Sequence, residues 1–283
     1  MSKVTELFTS STKDDSIDWE NKLNSQHCKY IGKKCIKNRK SEAEISIGTC
    51  TVNYGKEQNN ILICPFRLLE RKQIFMDCIH LLTGHEPGNE LHILSEIKIP
   101  GGNVDYFLVS TDSNRKVKDF VGIELQTLDT TGTVWPERQR FLKEKGFKTK
   151  DEITNSKKPF GMNWKMTAKT ILVQIHHKIH TFEHLNKHLV LVTQDCLLDY
   201  IKKEFTFSEV SENPKIGDSM HFHSYELKDG KNNDFKLNLK KRYSTDSEGI
   251  SVLLGLKAEA NVELEVILKN LESKINDNTL FTI

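Results

Sequence analysis

Two acidic residues and one amide stand on neighbouring apolar segments in the middle of the chain. Asp105 lies in the apolar run from Val104 to Val109, and Glu124 and Gln126 lie in the run from Phe120 to Leu128. The connecting residues are polar and charged, so the pattern predicts a strand, a turn and a second strand. Because side chains alternate along a strand, Glu124 and Gln126 share a face.

An antiparallel pairing of these strands would bring the two carboxylates together. If the turn centres between Asn114 and Arg115, Asp105 lies directly opposite Glu124, with Cβ atoms about 4.5 to 5.5 Å apart. Two carboxylates at that separation repel each other unless a cation lies between them. Oxygen ligands of this kind suit Mg²⁺, so the hairpin is a candidate magnesium site. Acidic residues on the exposed face of an ordinary hairpin are the alternative.

Four of the six cysteines, Cys28, Cys35, Cys50 and Cys64, fall within one N-terminal segment. A reducing cytosol disfavours disulfides, so this cluster favours a metal site. Four thiolates bind zinc or iron tetrahedrally and leave no open position, so the site would be structural. The segment lacks a Cys-x-x-Cys pair, and unrelated buried thiols are the alternative. The ligand type leaves iron and zinc open.

Three motifs surround these residues. They are Asn103-Val-Asp105 followed by Gly122-Ile-Glu124-Leu-Gln126-Thr-Leu-Asp129-Thr-Thr-Gly132-Thr-Val-Trp135-Pro136, then Cys64-Pro65-Phe66-Arg67, and finally Phe160-Gly161-Met-Asn163-Trp164-Lys165. Together they resemble the NotI family of type II restriction endonucleases, which belong to the PD-(D/E)xK nuclease superfamily. The resemblance covers about Cys28 to Asp195.

The resemblance implies an α/β fold with a PD-(D/E)xK core, in which helices flank a mixed central sheet, and an N-terminal four-cysteine segment that holds iron. It implies magnesium-dependent double-strand cleavage of DNA at a specific palindromic sequence. Asp105 and Glu124 would bind the magnesium, and Glu96 on the preceding strand would complete the acidic site. An exposed strand residue paired with Lys98 is the alternative for Glu96. Gln126 stands where most of the superfamily carries a lysine, as in NotI-like members, and its amide can hydrogen bond to water or phosphate.

Basic residues outside the hairpin are candidate DNA contacts, because phosphate contacts dominate affinity and set register on the duplex. They are Lys165 in the third motif, the segment from Lys29 to Lys40, and Lys240, Lys241 and Arg242 near the C-terminus. A solvated charge run is the alternative for each. Cutting both strands of a symmetric sequence requires two active sites, so we expect a homodimer. Restriction also implies a cognate DNA methyltransferase in the same cell.

Composition excludes several other classes of protein. With 41 basic and 39 acidic side chains among 283 residues, the chain does not coat nucleic acid by bulk charge, and DNA contacts must come from local patches. No apolar run approaches the 18 residues of a membrane span, and the N-terminus lacks the apolar centre of a secretion signal. We therefore expect a cytoplasmic protein without membrane contact.

The chain divides into four predicted regions. Residues 1–26 form a polar, partly helical segment, 27–66 the four-cysteine metal-binding region, 67–205 the nuclease core, and 206–283 a C-terminal extension for DNA contact or dimerisation. Within the core, hydrophobic spacing predicts helices over Phe66–Leu82, Glu137–Lys145 and Thr167–Asn186, and strands over Glu90–Ile99 and His188–Thr193.

Two other functions fit parts of this pattern. A repair or recombination nuclease with a four-cysteine cluster would share the hairpin chemistry but would cut by DNA structure. A non-catalytic DNA-binding module is suggested by the glutamine at the lysine position.

Overall fold

The protein is a mixed α/β structure with one large mixed sheet and helices on both of its faces. A computed structural model describes residues 2–155, 160–230, 234–257 and 264–274. The predicted α/β class is confirmed. None of the helices in these ranges is long and apolar enough to span a bilayer. Residues 258–263 and 275–283 of the predicted C-terminal extension lie outside the described residues.

The N-terminal quarter forms one four-stranded sheet and two short hairpins. Its elements are β1 (Val4–Leu7), β2 (Ser10–Ser11), α1 (Trp19–Ser25), β3 (His27–Cys28), β4 (Lys33–Lys34), β5 (Asn38–Arg39), β6 (Glu42–Ser46), β7 (Thr49–Tyr54) and β8 (Asn59–Leu62). The strand order of the larger sheet is β2-β1-β7-β8, and β3 pairs with β4 and β5 with β6. The predicted N-terminal and cysteine regions therefore share a sheet.

The single helix predicted over Phe66–Leu82 is wrong. Three short pieces replace it: a 3₁₀ segment at Pro65–Lys72, α2 (Gln73–Met76) and a 3₁₀ turn at Ile79–Leu81. The helix is interrupted at Glu70 and Arg71, whose backbone angles are not helical. The Glu70 carboxylate accepts the backbone N–H of Leu237 at 2.7 Å, so its side chain is bound to the sheet. The helical spacing persists because each piece packs its apolar side on the same sheet face.

The remaining elements build the large sheet and its helical layer. They are β9 (Glu90–Ile99), β10 (Gly102–Thr111), β11 (Val117–Gln126), β12 (Thr130–Thr131), α3 (Trp135–Glu144), α4 (Asp151–Thr154), β13 (Gly161–Met162), α5 (Trp164–His184), β14 (His188–Gln194), α6 (Asp195–Glu204), β15 (Met220–Asp229), β16 (Phe235–Thr245), α7 (Ser247–Leu253) and α8 (Leu264–Glu272). The order is β16-β15-β14-β11-β10-β9, with β14 parallel to β11 and β15 and the other pairs antiparallel. The predicted strands, and the helices now labelled α3 and α5, are confirmed to within a few residues.

The hydrophobic core lies on both faces of this sheet. On one face Ile175 and Phe182 of α5 pack against the sheet, and on the other Leu68 packs against Ile123. The central strand β14 is buried along its whole length, which explains its continuous apolar sequence. Polar side chains at this depth therefore need specific partners.

A buried arginine connects the two sheets. Arg67 is 0% exposed, and its Nε and Nη1 atoms lie 2.9 Å from Glu6 of β1 and 3.0 Å from Glu70. Its Nη2 atom donates to the backbone oxygen of Phe235 in β16 at 3.0 Å. A charge taken out of water at this depth is tolerated only when it is paired and hydrogen bonded.

We predict that Arg67→Met lowers the free energy of unfolding by about 3–5 kcal/mol, because two carboxylates are then buried without a counter-ion. Urea denaturation measures this change. The exposed neighbour Arg71 is the matched control, and Arg71→Met should stay within about 0.5 kcal/mol of the wild type. Equal effects of the two substitutions would contradict the assignment.

Candidate active site

The β10–β11 hairpin has the predicted register. Tyr106 pairs with Ile123 and Ser110 with Asp119, and one further step along the ladder places Asp105 opposite Glu124. The turn is fixed by Asp112, whose Oδ1 atom accepts two backbone N–H groups at 2.9 Å. The ladder shifts by one residue only beyond Ser110, away from the acidic pair.

Glu96 lies on the other side of Asp105. The β9–β10 pairs that flank Asp105 place Glu96 directly opposite it, so three neighbouring strands each contribute one acidic residue at the same level. Glu96 has a φ of 57°, a left-handed conformation that costs of order 1–3 kcal/mol for a non-glycine residue. Such strain is concentrated at functional sites, which favours the predicted role of Glu96 over that of an ordinary strand residue.

Lys178 is a member of this cluster that the sequence analysis missed. Its Nζ atom lies 2.6 Å from Glu124 Oε1, and the two side chains are 6% and 5% exposed. Along α5, Lys178 continues the buried stripe of Ile171, Ile175 and Phe182. A lysine inside an apolar stripe was the available signal, because such a charge requires a buried partner.

A close approach of backbone to backbone sets the position of Lys178. Gly101, in the turn between β9 and β10, has a φ of +96°, and a Cβ atom there would lie 2.2 Å from the backbone oxygen of His177. Beside it the Thr181 hydroxyl donates to the backbone oxygen of Pro100 at 3.2 Å. The turn therefore packs directly on α5 at the level of Lys178.

Each acidic side chain of the central pair has one oxygen that is already bound. Asp105 Oδ2 accepts the backbone N–H of Leu125 at 2.8 Å, and Glu124 Oε1 accepts Lys178. Within the described ranges, no protein group bonds to Asp105 Oδ1 or Glu124 Oε2. These two oxygens are available to a ligand.

Burial makes the pair unfavourable as two free anions. The pKa of Glu124 is raised to about 7, mainly by burial and also by the charge of Asp105, against the opposing effect of the Lys178 hydrogen bond. Burial also raises the pKa of Asp105, against the effect of the Leu125 N–H group. One ammonium group does not compensate the acidic cluster, so a bound cation would stabilise its ionised form.

The donor set fits magnesium. Mg²⁺ is usually held by one or two carboxylates and completes its shell with waters and substrate phosphates. Asp105 and Glu124 supply two such carboxylates. Among the described residues, no group of three or more His, Cys, Asp or Glu side chains is arranged to hold a metal ion, so a closed, all-protein cage is not what this site offers.

Gln126 lies at the end of β11, two residues beyond Glu124. Its amide Nε2 donates to the backbone oxygen of Thr127 at 2.6 Å, and its own backbone oxygen accepts the Thr193 hydroxyl at 2.9 Å. The side chain is half-buried, so the amide is anchored close to the acidic pair without a positive charge of its own.

A cavity of about 540 Å³ opens between the large sheet and the cysteine region. Glu96 and Asp105 line its sheet side, and Lys33 of β4 and Lys72 line it from the opposite elements. A phosphate that enters this cavity would be attracted by the two lysines and would lie close to Glu96 and Asp105, whereas Glu124 is not part of the cavity lining.

The cysteines of the predicted structural site occupy turns suited to thiolates. Cys28 and Cys64 each receive hydrogen bonds from the backbone N–H groups two and three residues further along the chain. The pKa of Cys64 is lowered to about 7 by the neighbouring Cys50 thiol, against the effect of burial, and Lys37 lowers it further. Such N–H groups stabilise negative sulfur, as metal-binding turns do.

The four predicted cysteines lie in one neighbourhood. Cys28 is near enough to Cys35 and Cys64 for their charges to interact, and Cys50 contacts Cys64. Burial is the main cause that raises the pKa of Cys28, whereas the Cys64 thiol raises that of Cys50. All four are free thiols, but no group of three or more His, Cys, Asp or Glu side chains in the described ranges is arranged to hold a metal ion, so the four-cysteine metal site stays a prediction.

The other predicted DNA contacts lie away from the acidic cluster. Lys165 is exposed on the first turn of α5, about 20 Å along the helix from Lys178 at 1.5 Å per residue. Lys240 and Lys241 lie on β16, three strands and about 14 Å from β11. Lys240 pairs with Asp195 at 2.7 Å, and the remaining member, Arg242, donates to the backbone oxygen of Asp77 at 3.2 Å. Their DNA contacts stay predictions.

Comparison of the chain with protein-family models and with curated proteins finds no match.

We predict that the raised pKa of Glu124 makes the protein less stable as pH rises. Between about pH 4.5 and about pH 7 the folded state binds more protons at this carboxyl than the unfolded state, so the free energy of unfolding falls. Glu124→Gln removes the titrating group. The free energy of unfolding of the wild type, relative to that of the variant, should therefore fall by on the order of 2 kcal/mol across this window. Urea denaturation without divalent metal measures it.

Glu86, an exposed carboxylate in the loop before β9, provides the control. The free energy of unfolding of Glu86→Gln, plotted against pH, should stay parallel to that of the wild type. A wild-type curve that stays parallel to Glu124→Gln would show that Glu124 titrates as an ordinary carboxyl.

Proposed function

We propose that this chain is a magnesium-dependent type II restriction endonuclease of the NotI family, with a PD-(D/E)xK core. The observation that supports it most strongly is the in-register row of Glu96, Asp105 and Glu124, with Lys178 bound to its buried end. The mixed α/β sheet with helices on both faces is compatible with such a core, although three short pieces replace the helix predicted before β9. The motif residues and the strand register favour the same chemistry.

The acidic pair would hold the metal. Magnesium at Asp105 and Glu124 would supply an acidified water and would neutralise charge on the phosphate. The two carboxylates would bring an oxygen each, and Glu124 is buried whereas Asp105 is half-buried at the cavity wall. Glu96, on the exposed rim, can accept a proton from an entering water and pass it to solvent.

Lys178 would supply the fixed positive charge that Gln126 lacks. An ammonium group carries three N–H donors, of which one is directed at Glu124 Oε1. The others can hold a water or a phosphate oxygen beside the acidic pair. A preorganised charge in a site that excludes water stabilises developing negative charge far more than an exposed one. Gln126 would orient the same water through its amide.

The cavity walls would position the substrate. Lys33 and Lys72 face Glu96 and Asp105 across the opening, so they are suited to phosphates on either side of the bond that is cut. The four-cysteine site, with iron or zinc, would hold the wall that carries Lys33 in place. Its role is structural, since four thiolates leave the metal no open position.

Double-strand cleavage requires two such sites, so we propose a homodimer. The edge strand β9 exposes Leu91, Leu94 and Ile97, with 40–45% of their surface accessible, and this apolar edge is suited to a second copy. The host cell would carry the cognate DNA methyltransferase. We propose a cytoplasmic location, where both enzymes meet DNA.

We predict that Lys178→Met lowers the single-turnover rate of DNA cleavage in magnesium by at least about 100-fold, because the fixed charge is lost. Asp105→Asn should abolish detectable cleavage and leave binding of duplex DNA in calcium unchanged. Incubation with long duplex DNA and analysis of the fragments measures both effects. The matched control is Lys169→Met, an exposed lysine on the same helix, which should cleave at the wild-type rate.

Each outcome separates the functions considered. Discrete fragments indicate restriction, whereas cleavage that follows DNA structure indicates a repair nuclease. Binding without cleavage by the wild type would indicate a non-catalytic module. Wild-type rates in Asp105→Asn would exclude the acidic pair as the active site.

We predict about one iron or zinc per chain in the purified protein, and its loss in Cys64→Ser, because three thiolates hold such a metal much more weakly than four. Elemental analysis measures the metal content. Cys196→Ser is the control and should keep the metal, because Cys196 lies outside the cysteine region. Its thiol is also a poor metal ligand, since burial raises its pKa. Metal-free wild-type protein would contradict the structural site.

A further inference from the structure

A buried arginine on α3 has no anionic or hydrogen-bonding partner among the described residues. Arg138 is 5% exposed, and its guanidinium forms no hydrogen bond or ion pair with any residue that the structure describes. Its Nε atom is fully buried without an acceptor. Burial and, to a smaller extent, the nearby charge of Arg39 lower its pKa to about 10. An uncompensated buried charge is among the most costly features a fold can contain.

The comparison with Arg67 shows what is missing. Arg67 is buried as deeply and has two carboxylates, Glu6 and Glu70, within 3.0 Å. Arg140, two residues further along α3, forms an ion pair with Glu137. The fold therefore provides carboxylates for these two arginines, whereas no described residue provides one for Arg138.

A cavity of about 510 Å³ gives such an anion access. It lies between the β5–β6 hairpin and α3 with its following loop, and its charged lining consists of Arg39, Glu42, Arg138, Lys148 and Lys150. Glu42, the one acidic residue there, forms an ion pair with Arg39. The cavity is thus strongly positive, with Arg138 at its buried side.

An aromatic ring holds both guanidinium groups. The guanidinium carbons of Arg39 and Arg138 each lie 4.6 Å from the centre of the Trp135 ring. Stacking on a ring fixes the plane of a guanidinium and leaves its N–H edge free for a ligand. A planar N–H edge matches two oxygens of a phosphate, which a lysine does not do.

We propose that this cavity binds a phosphate group, with Arg138 as its main ligand and Lys148 and Lys150 at its entrance. The site differs from the cavity lined by Glu96 and Asp105 beside the proposed magnesium site. It does not depend on nuclease activity, because it requires charge and shape alone. The phosphate can belong to the DNA backbone or to a free phosphorylated molecule, since both present the same oxygens.

Thermal unfolding of the full chain with inorganic phosphate tests the proposal, with sodium chloride at equal ionic strength as the reference. The wild-type Tm should rise by about 3 °C in excess phosphate, because a ligand of the folded state stabilises it. Arg138→Met should lose this rise. Its Tm without phosphate should equal or exceed that of the wild type, because a buried uncompensated charge is removed.

Two further variants make the result specific. Lys143→Met removes an exposed charge from the same helix and should keep the full phosphate-dependent rise. Arg138→Lys keeps the charge without the planar edge and should show a smaller rise. A wild type without the rise, or an Arg138→Met that keeps it, overturns the proposal.

Binding of a short duplex oligonucleotide in calcium identifies the source of the phosphate. If Arg138→Met weakens duplex binding at least about fivefold and reduces its salt dependence, the site holds a DNA phosphate. If duplex binding is unchanged while the phosphate-dependent Tm rise is lost, the ligand is a free phosphorylated molecule. Both results support the phosphate site and differ only in its source.

Discussion

The balance of buried charge at Glu124 is the constraint on which the candidate site depends. Its carboxylate lies in the interior of the sheet, where ionisation is costly, and the ammonium of Lys178 at 2.6 Å is its protein counter-ion. Asp105, opposite on β10, adds a second negative charge that this one ammonium does not neutralise. The site is therefore close to neutral only when it holds a proton or a cation, which is the condition a metal-dependent enzyme needs.

The rest of the fold keeps this pair in place. Gly101 allows the β9–β10 turn to touch α5, and this contact fixes the height of Lys178 against β11. On the face opposite to α5, the hydrophobic core packs against β11. Arg67, in the same layer, connects it to the N-terminal sheet. The cysteine region is thereby carried over the open side of the acidic row, where it forms the second wall of the cavity.

The sequence predicted the parts of the site that depend on local pattern. Alternating residues revealed β9, β10 and β11, and the position of the polar turn was sufficient to predict that Asp105 faces Glu124. Lys178 could not be assigned in this way, because its partner lies on another element and contact between them depends on tertiary packing. The left-handed Glu96 has no sequence signal either, since any residue type other than glycine is disfavoured there.

In the cysteine region and the segment after it, local pattern was again predictable from sequence, whereas features set by tertiary packing were not. Cysteine spacing indicated a cluster, whereas the N–H groups directed at the sulfur of Cys28 and Cys64 appear only in the folded turns. Helical spacing over Phe66–Leu82 indicated which side is buried but gave the wrong element, because the Glu70 side chain is bound to β16 and interrupts the helix. Burial pattern was thus easier to predict than backbone path.

The most direct test of the account is the position of a divalent ion in crystals of the protein soaked in manganese, located by anomalous diffraction. The account predicts a peak at about 2.0–2.4 Å from both Asp105 Oδ1 and Glu124 Oε2, at the distances expected for oxygen ligands of a small divalent cation. A manganese peak elsewhere, with these two oxygens bound to water or directed apart, would contradict it.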